Sequence, residues 1–236
     1  MKHIKNILLR GSWQTRNIGD IAHTPGFLSL AQQVIPEVRM WLWPCQIDRG
    51  VREMLLDNFP GLTIVESEAE VSQAFGCCDL LINGSGPGVD LDTMELWHTK
   101  TGKPYGFFGV SADGLWSERK REIFSNAAFI FCRDSLSVHF LNAQNLSCPL
   151  IGFAPDSSYF LNLKPGVSAR TFLETNGLEK ESFVCVITHH TGLLFLSMTK
   201  DFTTKTPVKK KSPLTTWKTI WKKCGKSSAT SSETAL

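Results

Sequence analysis

Asp79-Leu80-Leu81-Ile82-Asn83-Gly84-Ser85-Gly86-Pro87-Gly88 breaks from an unrelieved apolar run into a polar, glycine-bearing turn. A strand that is apolar on both faces belongs in a parallel sheet covered by helices on each side. In such sheets ligands bind at the turns outside the carboxyl ends of the strands. The same pattern recurs outward from this stretch. Upstream, Ile4–Leu9, Arg39–Trp43 and Leu62–Val65 read as strands, and downstream so do Pro104–Val110, Ala128–Cys132 and Pro149–Phe153. The stretches between them carry helical spacing. Thr24-Pro25 offers an N-cap and a proline at the first helical position for Phe27, Leu28, Ala31, Val34 and Ile35. Asp48 is read as the cap of a helix holding Val51, Met54, Leu55 and Leu56, and Ser67 as that of one holding Val71 and Ala74. Further helices are expected near Leu91–Lys100, Trp116–Asn126, Ser135–Gln144 and Ala169–Asn176. Alternation of this kind predicts an α/β fold with a doubly wound, mostly parallel, Rossmann-like sheet.

Residues 1–165 are expected to form that Rossmann-like lobe. Residues 166–192 read as a linker and the start of a second α/β unit, with a strand at Phe183–Thr188. From 193 to 236 the alternation gives way to a Lys-, Ser- and Thr-rich tail whose composition predicts disorder. Charge divides at the same place. Nine of the 25 basic residues and two of the 22 acidic ones lie in 193–236, so residues 1–192 are mildly acidic with 16 basic and 20 acidic residues. No basic cluster marks this body as a nucleic-acid binder. No apolar run approaches the ~18 residues of a membrane span, and no secretory leader is evident, so the expected compartment is the cytosol. Seven cysteines without a repeated short spacing fit reduced thiols better than a disulfide framework or a metal site.

The strand-end turns are the places for chemistry. Arg16-Asn17-Ile18-Gly19-Asp20 follows the first strand, where a helix start attracts anions and Arg16 and His23 could supply cationic partners. Equally, Asn17 and Asp20 could merely shape the turn. Asn83-Gly84-Ser85-Gly86 lets backbone approach a ligand, but it lacks the register of a dinucleotide fingerprint and the Lys-Ser/Thr of a P-loop. Gly109 through Gly114, with Ser111 at its centre, forms a third turn. Arg133-Asp134-Ser135 closes one strand and opens a helix that Asp134 caps, leaving Arg133 to pair with Asp134 or to meet an anion. Asp156 repeats the theme after Ala154-Pro155, and His189-His190 follows the strand of the second unit.

In this order and at these separations, the turns resemble the polysaccharide pyruvyl transferase family. The pieces are Asn17-Ile18-Gly19-Asp20, the run from Asp79 to Gly86, Gly102-Lys103-Pro104 leading into Gly109, Ala128 through Arg133-Asp134 with Ser137, and Ala154-Pro155-Asp156. They cover residues 1 to about 190. The resemblance implies one lobe of a glycosyltransferase-B-like architecture, phosphoenolpyruvate as donor, a glycan or sugar hydroxyl pair as acceptor, and neither metal nor cofactor. Substrate contacts are expected from Arg16, Asn17, Gly19, Asp20, Asn83, Gly84, Ser85, Gly86, Ser111 and Arg133. Family members also carry Arg-Leu-His in a second lobe, expected to supply positive charge and proton transfer, and this sequence contains no Arg-Leu-His. The expectation is therefore a truncated transferase with little or no activity of its own. A non-enzymatic sugar- or anion-binding module is the alternative.

Overall fold

The computed structural model describes residues 4–86, 88–114, 116–163, 167–179 and 182–184. All the expected strands of the first unit form: β1 (Asn6–Gly11), β2 (Arg39–Pro44), β3 (Thr63–Ile64), β4 (Leu80–Asn83), β5 (Tyr105–Val110), β6 (Phe129–Cys132) and β7 (Ile151–Phe153). They pair in parallel throughout, in one seven-stranded sheet of order β3-β2-β1-β4-β5-β6-β7. The order reverses direction between β1 and β4, which makes the gap between their carboxyl-end turns the topological switch point.

Alternation along the strands sends successive side chains to two separate cores. Ile7, Leu9, Leu80, Ile82, Phe108, Phe129 and Phe131 face one layer with Phe27 and Leu28. Leu8, Leu81, Phe107 and Ile130 face the other, with Trp97 and Phe124. A strand buried on both faces has no position for a solvated residue, which is why its sequence reads as a continuous apolar run.

The helices are α1 (Ile18–Val34), α2 (Val51–Asn58), α3 (Glu68–Cys77), α4 (Leu91–Thr101), α5 (Glu118–Ser125) and α6 (Ser135–Asn142), with a short 3₁₀ turn, η1 (Ser157–Phe160), after β7. Two expected caps hold. Ser67 forms a full capping box with Glu70 on α3, and the Asp134 carboxylate accepts the Ser137 N–H on α6.

Two others are corrected. The first helix does not begin at Thr24-Pro25. Asn17 is its N-cap, accepting from the Gly19 N–H at 2.9 Å, and Pro25 lies inside it. An internal proline forfeits a backbone hydrogen bond and costs about 3 kcal/mol, but His23 through Ala31 are all buried, and that packing carries the helix through the defect. Asp48 does not cap α2. Gly50 is the N-cap, Arg49 and Gly50 both have positive φ, and the Asp48 carboxylate instead accepts the Thr15 hydroxyl. The Cys77-Cys78 pair ends α3, with Cys77 exposed and Cys78 buried.

The chain divides into two compact units after Leu163. In the second, α7 (Val167–Thr175) ends at Gly177, whose φ of 62° suits the left-handed conformation of a helix C-terminus. Phe183 and Val184 are exposed and outside any strand. The rest of the expected strand to Thr188, His189-His190 and the 193–236 tail lie outside the described residues. No described helix is long and apolar enough to cross a membrane.

One close approach fixes α1 against η1. A Cβ on Gly26 would stand 2.1 Å from the Ser157 carbonyl oxygen, backbone that cannot swing away. In an isolated helix Gly→Ala stabilises by about 1 kcal/mol. Here the clash reverses the sign, and Gly26→Ala is expected to destabilise the protein by roughly 1–3 kcal/mol, as overpacking does. Urea unfolding checks it, and a gain in stability would show that α1 and η1 do not pack as described.

Candidate functional site

The turns after β4, β5, β6 and β7 are joined to α1 by one continuous polar network. It starts at Ser85, which is buried in the β4 turn. Its hydroxyl donates to the Phe108 carbonyl at 3.3 Å and accepts the Ser157 N–H at 3.1 Å. Ser157, fully buried at the start of η1, donates its own hydroxyl to the His23 carbonyl at 2.8 Å. His23 Nε2 lies 3.2 Å from Asp156 Oδ2, and that oxygen also accepts from Arg133 Nη1 at 2.9 Å. Arg133 Nε then donates to the Ser111 hydroxyl at 2.9 Å, which passes its proton's hydrogen bond to Asp134 Oδ2 at 3.1 Å.

Local sequence supplies each member. Asp134 caps α6 and Asp156 caps η1, accepting the Ser158 N–H and hydroxyl. Gly109, at the register shift of β5, has a φ of 67°, and a Cβ there would meet the Ser85 hydroxyl at 1.9 Å. Glycine is needed at this position both for the bend and for the hydroxyl beside it.

Burial falls from the inside of this network to its rim. The side chains of His23, Asp156 and Arg133 are 8%, 14% and 32% exposed, so the guanidinium is the charged end nearest water. Arg133 Nη2 makes no hydrogen bond among the described residues. Burial alone would push the Asp156 carboxyl up. Hydrogen bonds from His23, the Ser158 amide and hydroxyl, and Arg133 outweigh it and hold this group well below the ordinary carboxylate range. Asp134 is likewise depressed, burial being overcome by its bonds from Ser137 and Ser111 and by the Arg133 charge.

The other predicted residues fall into two groups. Asn83, Gly84 and Gly86 build the β4 turn itself. The Asn83 amide donates to the Gly84 carbonyl and accepts the Asp90 N–H, and the Gly84 N–H donates to the Arg10 carbonyl. A Cβ on Gly86 would stand 2.0 Å from Trp13 Nε1, which donates to the Ser85 carbonyl at 2.7 Å. The space that glycine opens at the switch point is thus filled by the protein's own indole.

Arg16, Asn17 and Gly19 are exposed on the β1 turn. Asp20 turns inward, accepting from Gln14 Nε2, and its Oδ1 lies 3.8 Å from His23 Nδ1, a buried nitrogen without a hydrogen-bond partner. Of the predicted set, the structure therefore brings Ser85, Ser111, Arg133 and Asp20 to a common core and leaves Arg16, Asn17 and Gly19 outside it.

Residues 6–226 match the family model described as polysaccharide pyruvyl transferase. The chain belongs to the polysaccharide pyruvyl transferase family. The match continues past residue 190, where the motifs quoted above end. Among curated proteins, none matches the chain.

In this pyruvyl transferase family member, several structural residues of the rim carried no local sequence signal. Ser157 reaches back 134 positions to His23, and Trp13 reaches 72 positions forward to Ser85. Arg10 was also missed. It lies at the end of β1, where its Nε pairs with Asp90 at 2.8 Å, its Nη1 donates to the Trp43 and Pro44 carbonyls, and its guanidinium covers the Trp43 ring at 4.9 Å. The cation nearest the switch point is therefore committed to holding β1, β2 and the start of α4 together.

The depressed carboxyl of Asp156 gives a signed pH dependence. A carboxylate with a lowered native pKa contributes stability above its unfolded value, 3.8, and loses that contribution as pH falls toward the native value. The unfolding midpoint in urea should fall between about pH 5 and pH 2. Asp156→Asn should lower the midpoint at neutral pH and flatten its decline below about pH 4. An equally steep acid decline in the variant would remove Asp156 as the responsible group.

Proposed function

We propose that this chain takes part in pyruvyl transfer from phosphoenolpyruvate to a pair of sugar hydroxyls, with Arg133 as its contact for the anionic donor. Support comes from family membership together with one observation: a guanidinium held on two sides by Ser111 and Asp156, with its remaining edge at the carboxyl rim of the sheet. A planar fork fixed in this way matches phosphate or carboxylate oxygens with little further ordering.

In the proposed reaction a sugar oxygen bonds to the enol carbon, a second sugar oxygen replaces the phosphate there, and a ketal results. Of the two hydroxyl protons, one ends on the methylene carbon, which becomes a methyl group, and the other on the departing phosphate. The role of this unit is to bind and orient. Ser111 and Asp156 aim Arg133, while His23 and Ser158 hold Asp156 in place. The sequence lacks the Arg-Leu-His that the family resemblance assigns to protonation of the enol carbon. Turnover by this chain alone is accordingly proposed to be slow or undetectable. The fixed Arg133 fork serves equally well, as a second reading, in a sugar- or anion-binding module without catalysis.

Calorimetry with phosphoenolpyruvate tests the donor contact. Binding is expected with the native chain, at least about tenfold weaker with Arg133→Ala, and intermediate with Arg133→Lys, which keeps the charge but loses the fork. Unchanged affinity in a cooperatively folded Arg133→Ala protein would sink the assignment. Phosphate release in the presence of a sugar acceptor should stay near background, and rapid, sugar-dependent release would exclude the binding-module reading.

A further inference from the structure

One strand away from the Arg133 network, on the same carboxyl rim, a cavity of about 880 Å³ opens between the β1–α1 and β2–α2 connections. Its size is that of a small-molecule site, typically about 300–1,000 Å³. Gln14, Thr15 and Arg16 line one side, and the other is lined by Gln46 through Gly50 with the first turn of α2, while Glu66 closes the β3 end. The switch point itself is occupied by Trp13, so this is the open concavity beside it.

The wall is preformed. Thr15 is buried and its hydroxyl donates to the Asp48 carboxylate, which ties the two connections together. Gln14 Oε1 accepts the N–H groups of both Arg16 and Asn17, fixing the turn that carries Arg16. Preformed walls spare a ligand the entropy of ordering them.

Charge decides what such a cavity can hold. Arg16, Arg49 and Arg52 stand against Asp48, Glu53 and Glu66, so the lining is neutral as a whole. Arg49 faces Asp48 at 3.6 Å and Arg52 is paired with Glu66. A multiply charged anion entering here would meet as many carboxylates as guanidiniums, and would lose hydration without a matching gain. An uncharged polyol is different. Each hydroxyl both donates and accepts, so it can donate to a carboxylate while accepting from a guanidinium or an amide, without disturbing a pair. Gln46, Glu53 and the Arg16 guanidinium have no side-chain hydrogen bonds to other described residues, and they offer one amide, one acceptor and one donor fork to such a ligand.

Resting on the transferase reading above, we propose that the cavity between the β1–α1 and β2–α2 connections takes an uncharged saccharide unit of the acceptor glycan. The anionic donor is held separately, at Arg133. The acceptor chain would then lie along the carboxyl rim, gripped at one unit by the neutral cavity.

Saturation-transfer NMR and calorimetry on the full chain test this, with maltotriose, cellotriose and β-1,4-galactobiose as neutral probes and digalacturonate and phosphoenolpyruvate as anionic ones. At least one neutral probe should bind with a Kd of about millimolar or tighter. The double variant Gln46→Ala, Glu53→Ala should weaken it at least about tenfold, since two exposed side chains without structural partners are removed. Arg133→Ala should leave it unchanged. The proposal is overturned if no neutral probe binds, if the double variant binds them as well as the native chain, or if digalacturonate or phosphoenolpyruvate is the ligand that the double variant loses. Phosphoenolpyruvate binding that depends on Arg133 and not on Gln46 or Glu53 survives the first two outcomes, so the donor assignment and the acceptor cavity fail separately.

Discussion

The carboxylate of Asp156 is the constraint on which the rim of this sheet depends. A largely buried charge is tolerable only when it is paired and its lone pairs are used. Here the partners come from three elements: His23 from within α1, Arg133 from the end of β6, and the Ser158 amide and hydroxyl from η1. Each of those elements could pack against the sheet in several slightly different ways by hydrophobic contact alone. Satisfying one carboxylate selects among them, because a shift of any partner leaves a charge in poor solvent. Beside it, Gly26 packs closely on the Ser157 backbone and the Ser157 hydroxyl donates to the His23 carbonyl, which ties η1 to α1.

The same economy explains why so few of the charges near the strand ends are available to a ligand. Arg10 is committed to Asp90 and two carbonyls, and its partner is depressed below the usual carboxylate range even though burial opposes this. Asp134 is committed to capping α6 and to Ser111. At the outer end of the Asp156 network Arg133 keeps one edge unspent. Its usefulness follows from being structural. A guanidinium anchored through Nε and Nη1 presents its third nitrogen in a fixed direction, which a solvated arginine does not do.

Much of this was legible in the sequence, for reasons that differ by element. The strands could be read because burial on both faces removes every polar position from runs such as Leu80-Leu81-Ile82 and Phe129-Ile130-Phe131. Caps could be read where the capping bond is local, as for Ser67 and Asp134. They were misread where tertiary contacts redirect the side chain. Asp48 stands where a cap would stand, but Thr15, 33 residues earlier in the chain, claims its carboxylate. Pro25 looks like a helix start because the cost of an internal proline is judged without the buried surroundings that offset it. Among the site residues, Ser111 and Arg133 were found by position, at strand ends on one rim. Ser157 and Trp13 were not, because their roles exist only once residues 134 and 72 positions away are brought beside them.

Trp13 shows how a fold's default ligand position can be moved. In an open parallel sheet, the reversal of strand order leaves a crevice because adjacent crossovers leave on opposite faces. This chain has the reversal between β1 and β4 and the small residues that would line such a crevice, but the Trp13 ring lies over Gly86 and is anchored by its N–H to Ser85. With the centre closed, the rim is divided into two stretches on either side of the indole. On one side lies the β1–β2 cavity with its balanced charges, and on the other the turns of β5 to β7 with Arg133 at the margin. A single indole thereby separates the β1–β2 cavity from the Arg133 network along the same edge. On the proposed reading, donor and acceptor are distinguished by the side of Trp13 on which they lie, without any one pocket having to accommodate both.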